Sequence, residues 1–92
     1  MNKKQKIKLI LQELLDHTKK NGGFSRYDIE RAIRVELLAT DDRTIQNWFS
    51  LLWSLELFEQ PTQGKYNICW DRITELEVPL SFDVNQRRLS NV

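Results

Sequence analysis

Residues 41–59 read DDRTIQNWFSLLWSLELFE and form the most apolar helical stretch of this 92-residue chain. At about 100° per residue around a helix, Ile45, Phe49 and Leu52 share one side. Asp41 or Thr40 is the expected N-cap of the helix, since both side chains can accept a hydrogen bond from a first-turn amide. The stretch therefore predicts a helix that buries one side and ends near residue 55, before Glu56 would turn toward the core.

The opposite side of this predicted helix is polar and carries a single charge. Its residues are Arg43, Gln46, Asn47, Ser50 and Ser54. An ordinary solvated helix face usually carries lysine and glutamate, whereas short amide and hydroxyl side chains suit close approach to another surface. We therefore interpret this side as a contact surface, with a solvated face as the alternative.

Two further helices are predicted before it. The first covers residues 3–20, with Ile7, Ile10, Leu11, Leu14 and Thr18 at helical spacing. The glycine pair at 22–23 supplies a left-handed cap.

The second helix has a complete start signal. Ser25 is the expected N-cap and Asp28 the third helical residue, as in a capping box, while Phe24 and Ile29 flank the cap as a hydrophobic staple. The buried stripe predicted for it consists of Ile29, Ala32, Ile33 and Leu37.

A β-hairpin is predicted to follow the third helix. Residues 57–60 form its first strand, the turn residues at 61–64 include Pro61 and Gly64, and residues 65–70 alternate as a second strand. Trp48 and Trp70 are expected in the core, with Trp53 at its edge. The fold class predicted is mostly α with a small β-hairpin.

The C-terminal part alternates apolar and polar residues over 76–84, which predicts a strand, and Pro79 restricts it to an edge strand or extended arm. We expect a domain over residues 1–71 and a tail over 72–92. A free edge of this kind favours pairing with another chain. Together with Leu9, which faces away from the first helix's stripe, it predicts a homodimer built from the first helix and the tail. The alternative is a tail that folds back over its own domain.

The order helix, helix, helix, hairpin resembles the winged helix-turn-helix DNA-binding family, over about residues 6–70. Residues 43–59 match the family's recognition-helix pattern: threonine and an aliphatic residue, two polar positions, an aromatic pair, a later leucine and a Leu-x-Leu-Phe exit. Small stand-alone regulators of this type are common in archaea, viruses and plasmids. The chain departs from the family at Glu56, where glycine is frequent, and in a longer stretch between Ala32 and Thr44.

This resemblance implies that the third helix enters the major groove of double-stranded DNA. Arg43 then reaches guanine or phosphate, Gln46 and Asn47 pair with adenine, and Thr44 and Ser50 bond phosphate. The remaining expected DNA-binding residues are Ser54 on the same helix, Lys65 at the hairpin wing, and Arg26 and Tyr27 at the start of the second helix.

Charge is distributed unevenly along the chain, and its basic and acidic regions favour different functions. The net charge is +1, but residues 1–24 carry six lysines against Glu13 and Asp16, whereas residues 41–60 carry Arg43 against four carboxylates. The lysines favour a sequence-specific DNA-binding regulator acting as a homodimer. The acidic balance of residues 41–60 favours the alternative, a winged-helix module that joins a protein assembly.

Other classes have no support in the residues. His17 and Cys69 are the chain's single histidine and single cysteine, which leaves no spacing typical of a metal site and no internal disulfide. No nucleophile is paired with a base and no glycine-rich phosphate loop is present. We therefore expect a cytoplasmic protein that is not an enzyme, has no cofactor or small-molecule ligand and does not enter a membrane.

Overall fold

The computed structural model describes residues 2–81. Its elements in chain order are α1 (Lys3–Thr18), α2 (Arg26–Leu37), α3 (Asp42–Ser54), β1 (Phe58–Thr62), β2 (Lys65–Ile68) and α4 (Trp70–Glu75). The predicted class is confirmed, since the described chain is mostly helical with one two-stranded antiparallel hairpin. Within residues 2–81, no helix combines the length and apolar character needed to cross a membrane.

The first two helices begin at capping boxes. Asn2 and Gln5 bond each other's backbone amides at the start of α1, and Ser25 and Asp28 do the same at the start of α2, as predicted. The end of α1 differs from the prediction, because Lys19 rather than a glycine adopts the left-handed cap at φ 58°. The amide of Lys19 bonds the Leu15 carbonyl there, so the helix closes before the glycine pair.

The third helix follows its predicted pattern. Asp41 caps it, accepting from the Thr44 amide, and Ile45, Phe49 and Leu52 are buried. Glu56 leaves the helix with φ 62°, so the left-handed exit expected of a glycine is retained by a residue that has to bear its strain.

The hairpin has a longer first strand and a shorter second strand than predicted. Pro61 belongs to β1 and the turn consists of residues 63–64, with Gly64 at φ 80°. The register of the two strands shifts between Glu59 and Thr62, and this irregularity accommodates a proline that has no amide to donate.

The hairpin is tied to the loop between α1 and α2. Phe24 and Tyr66 exchange two backbone hydrogen bonds of 2.8 and 2.7 Å, which adds an isolated β-bridge that the sequence did not predict. Asn67 Oδ1 accepts from the Gly23 amide at 2.7 Å. A Cβ on Gly22 would lie 2.7 Å from the same oxygen, so this close approach requires glycine.

The prediction of a strand over residues 76–84 is wrong for its described part, residues 76–81. Residues 70–75 instead form α4, which contains the position expected to divide domain from tail. Val78 is buried, and Leu76 and Leu80 pack against the core. Apolar residues two positions apart can face the core from a turn that follows a helix as well as from a strand. The alternation over residues 76–81 therefore did not distinguish a turn from a strand.

The described tail therefore folds back, as in the alternative considered above. Its last described residue is fastened to α1 by both atoms of one amide: Gln12 Nε2 donates to the Ser81 carbonyl at 2.7 Å, and Gln12 Oε1 accepts from the Ser81 amide at 2.9 Å. Residues 82–84 lie outside the described residues, and the homodimer stays a prediction. Trp70 is 36% exposed at the start of α4, so its predicted place in the core is also wrong.

Candidate nucleic-acid interface

The polar side of α3 is an exposed surface. Arg43, Asn47, Ser50 and Ser54 are all exposed along it, on the side opposite the buried Phe49. Ser54 Oγ donates to the Leu51 carbonyl at 3.1 Å and leaves its lone pairs available. We call these four residues the α3 face.

Lysines from the start of α1 lie beside the α3 face. Lys3 lines a depression of about 280 Å³ together with Asn47, Trp48 and Leu51. Lys6 places its ammonium 6.0 Å from the centre of the Trp48 ring, at the outer range of a cation–π contact. Positive charge is therefore brought to the edge of a helix whose own residues contribute only Arg43.

Gln46 has a different environment from the α3 face. Its Nε2 donates to Glu30 Oε2 at 3.0 Å and its Oε1 accepts from Arg26 Nη2, while Arg26 Nε donates to the same Glu30 oxygen at 2.9 Å. These bonds use both polar atoms that a bidentate contact with adenine needs. Gln46 therefore connects α3 to α2 in this structure.

Glu30 is held in its charged form within this network. Burial alone raises the pKa of Glu30, but hydrogen bonds from Gln46 and Arg26, with the charges of Arg26 and Arg34, outweigh it and lower the pKa below its usual value. The carboxylate fixes the guanidinium in place, and the guanidinium carbon lies 4.2 Å from the centre of the Phe49 ring.

Three other predicted site residues are spread around this surface. Thr44 is half-buried, and its hydroxyl donates to the Asp41 carboxylate at 3.1 Å. Tyr27 is 67% exposed, on the start of α2. Lys65 is exposed where β2 begins, opposite Thr62. The structure thus brings the α3 face together as one surface, with Arg26 and Gln46 at its edge, but it does not join Thr44, Tyr27 or Lys65 to that surface by a hydrogen bond.

A second depression, of about 300 Å³, lies between α3 and the hairpin. Its lining residues are Arg26, Phe49, Ser50, Trp53, Gln60 and Tyr66. The Tyr66 ring meets Phe49 and Trp53 edge-to-face, with centroid distances of 5.8 and 5.9 Å. Tyr66 and Phe49 are buried, whereas Trp53 is 44% exposed, so one ring of this cluster is available to a ligand. We call this depression the α3–hairpin groove.

Sequence reasoning assigned no site role to Trp53, Gln60 or Tyr66, and it counted Lys3 and Lys6 only within the basic N-terminal segment. The two lysines had a usable signal, since they precede the buried Ile10 by seven and four residues and so share its side of α1. Trp53, Gln60 and Tyr66 had no such signal, because the α3–hairpin groove depends on how the hairpin packs against α3.

Neither a metal site among the described residues nor a comparison with known proteins gives further information about this surface. Among the described residues, His, Cys, Asp and Glu side chains form no group of three or more that would hold a metal ion. No family model, curated protein or solved structure matches the chain.

Proposed function

We propose that this protein is a sequence-specific double-stranded DNA-binding regulator that places α3 in the major groove. The observation that carries the proposal is the position of Lys3 and Lys6 beside the α3 face. Amide and hydroxyl groups suit base edges, and flanking lysines suit the phosphates along the groove. The hairpin, with Lys65 exposed, acts as the wing on the backbone or minor groove.

We expect the side chains of the α3 face to make different contacts with DNA. Arg43 reaches guanine or phosphate, and Asn47 offers a free amide to adenine. Ser50 and Ser54 are short donors that permit close approach to phosphate. The proposal includes a non-enzymatic role in the cytoplasm and a homodimer, because two recognition helices on a two-fold site increase both affinity and specificity.

The experiment is a salt titration of binding to a duplex. Each phosphate contact lowers the slope of log K against log salt concentration by about 0.9. Replacing Lys3 and Lys6 together by glutamine is expected to make the slope less steep by about 1.8. The matched control replaces Lys19 and Lys20 by glutamine. This variant loses the same amount of charge as the first, but at the other end of α1.

The control lysines should matter little. A 16-residue helix is about 24 Å long, well beyond the screening length of about 8–10 Å in physiological salt. Equal slopes for both double variants would show that lysine charge acts non-specifically. Absence of salt-dependent duplex binding by the unmodified protein would contradict the proposal.

The second candidate is a winged-helix module that binds protein. Asp41 and Asp42 favour it, since both are exposed at the start of α3 and would repel a nearby phosphate. Replacing Asp42 by asparagine distinguishes the two functions. DNA binding is expected to tighten in that variant, whereas an interface that recognises basic protein would weaken.

A further inference from the structure

An exposed apolar surface lies on the outer side of α2, which packs against α1 and α3 through its opposite, buried side. Three of the five large apolar side chains that are exposed within residues 2–81 belong to it: Tyr27, Val35 and Leu38. Around the helix, Val35 lies about 80° from Tyr27, and Leu38 follows the last turn about 20° from Tyr27. We call these three residues, with Arg31 and Arg34 between them, the α2 surface.

Leu38 occupies a position where its side chain gains little from the fold. It ends α2 at φ 52° and ψ 36°, the left-handed conformation that glycine adopts without strain, and it is 86% exposed. The other described residues with positive φ that are not glycine have charged side chains, which water solvates: Lys19, Glu56 and Glu77. Leu38 is the apolar exception, and a contact with another molecule would compensate for its exposure.

The accessible charge of the α2 surface is positive. Arg34 is exposed one turn before Leu38, and no carboxylate within residues 2–81 forms an ion pair with it. Arg31 is half-buried, and its Nη1 donates to Glu13 Oε2 at 2.9 Å. The Glu30 carboxylate already accepts hydrogen bonds from the network described above. Arg34 is therefore the charged group that this surface offers to a partner.

We infer that the α2 surface binds an acidic amphipathic helix of another protein, with apolar side chains against Tyr27, Val35 and Leu38 and a carboxylate on Arg34. From Tyr27 to Leu38 the surface is about 16 Å long, or about three helical turns, which matches the apolar row of a short partner helix. A carboxylate beside that row can bond a guanidinium through both oxygens. The inference goes beyond the proposed function, which uses α3 and the start of α1.

Other occupants fit the α2 surface less well. A second copy of the chain, packed antiparallel so that Tyr27 meets Leu38, would bring Arg31 and Arg34 of the two copies together, and like charges repel. A DNA backbone would satisfy Arg34 but would leave Val35 and Leu38 without an apolar partner. Both occupants are outcomes of the test.

The probe is a synthetic helical peptide of about 18 residues, in which leucines repeat every three and four positions and glutamates flank them. The matched peptide has lysine in place of each glutamate. Amide chemical shifts of the full chain are followed during titration with each peptide. We expect the glutamate peptide to shift residues 27–38 and the lysine peptide to leave them unchanged. Absence of binding by the glutamate peptide, or shifts confined to the basic start of α1, would overturn the inference.

Leu38→Gly separates a lost contact from a lost fold. Because glycine adopts the left-handed conformation without strain, this variant should be at least as stable as wild type. Its affinity for the glutamate peptide is nevertheless expected to fall about tenfold, since a leucine side chain leaves the interface. Trp70→Ala is the control, because Trp70 is an exposed apolar residue on α4, and it should leave affinity unchanged. Wild-type affinity in Leu38→Gly would overturn the inference.

Arg34→Glu tests the charge of the partner. This variant is expected to lose the glutamate peptide and to bind the lysine peptide, because the charge of the α2 surface is reversed. A gain of binding cannot result from unfolding. The control Arg43→Glu makes the same change at an exposed position of α3 and should alter neither affinity. Continued preference of Arg34→Glu for the glutamate peptide would overturn the assignment of Arg34.

Two further outcomes would assign the α2 surface to a different occupant and overturn the inference. Shifts of residues 27–38 that depend on the concentration of the protein alone would place a second copy there. Competition between duplex DNA and the peptide for these residues would place DNA there, as the sequence predicted for Tyr27. Equal peptide affinity with and without a saturating duplex is the result expected, and failure of the protein to bind DNA would leave this inference standing.

Discussion

Gln46 and Asn47 are adjacent and carry the same amide group, yet they have different environments in α3. Gln46 is bonded to Arg26 and Glu30, whereas Asn47 is exposed beside Lys3. The sequence placed both on the polar side correctly, since helical periodicity gives direction. It could not separate their roles, because the partners of Gln46 come from another helix.

We expect different consequences from truncating the two amides. Asn47→Ala should lower affinity for the preferred duplex by about 1–3 kcal/mol and leave binding to unrelated duplexes unchanged. Gln46→Ala should lower the free energy of unfolding by about 0.5–1.5 kcal/mol and weaken binding to all duplexes alike. Selection from a random duplex pool, followed by titration and urea denaturation, measures both. Loss of base preference in Gln46→Ala alone would reverse the assignment.

The network around Glu30 predicts a pH dependence. Because the folded protein holds the pKa of Glu30 below its usual value of 4.5, the carboxylate contributes stability above that pH and loses it as the pH falls through the lower, folded value. Wild type should be more stable than Glu30→Gln near neutral pH, and the difference should disappear below pH 4.5. Glu36, whose pKa is raised by burial and by Glu13, has the opposite effect but is common to both proteins. A difference that persists in acid would exclude ionisation as its cause.

At the scale of elements, local signals predicted most of the helices. The capping residues Ser25 and Asp41 and the apolar side of α3 were all read from neighbouring residues. The hairpin was also predicted from neighbouring residues, with its turn at 63–64 inside the expected 61–64. The Phe24–Tyr66 bridge and α4 were not predicted, because they depend on contacts between distant parts of the chain. The alternation that suggested a strand at 76–81 arises where Val78 enters the core and its neighbours remain at the surface.

The left-handed end of α2 gives an element-scale prediction. Leu38 has φ 52° and is 86% exposed, so it bears backbone strain of roughly 1–2 kcal/mol with little packing in return. Leu38→Gly should therefore raise the free energy of unfolding by about 0.5–1 kcal/mol, after the greater flexibility of glycine in the unfolded chain is subtracted. The control Val35→Gly, inside the same helix, should lower it by about 1 kcal/mol. Destabilisation by Leu38→Gly would mean that the leucine side chain makes a stabilising contact.

At the scale of the whole molecule, the domain continues beyond the boundary expected at residue 71. Ile73 and Val78 are buried in the common core, and Arg72 Nε donates to the Leu55 carbonyl at 3.1 Å. The segment that follows the hairpin therefore forms part of the same core and is bonded to the end of α3. The residue types after position 71 did not predict this contribution to the core, because they are compatible with a short helix and with an extended arm.

Two truncated proteins test this boundary. A chain ending at residue 81 should unfold at nearly the wild-type urea concentration. A chain ending at residue 71 should lose at least about 3 kcal/mol, since it removes two buried aliphatic side chains. Sedimentation of the same proteins tests the homodimer: a dimeric full chain beside a monomeric 1–81 chain would place the dimer contact in residues 82–92. Equal stability of the two truncated chains would contradict the extended core.

The central claim is that the α3 face and the start of α1 meet duplex DNA as one surface. Amide chemical shifts of the full chain, followed during titration with a duplex, test it most directly. We predict the largest changes at Lys3, Arg43, Asn47 and Ser50, with α4 unaffected. Duplex binding that shifts α4 or the outer side of α2 while residues 43–54 stay unchanged would contradict the account.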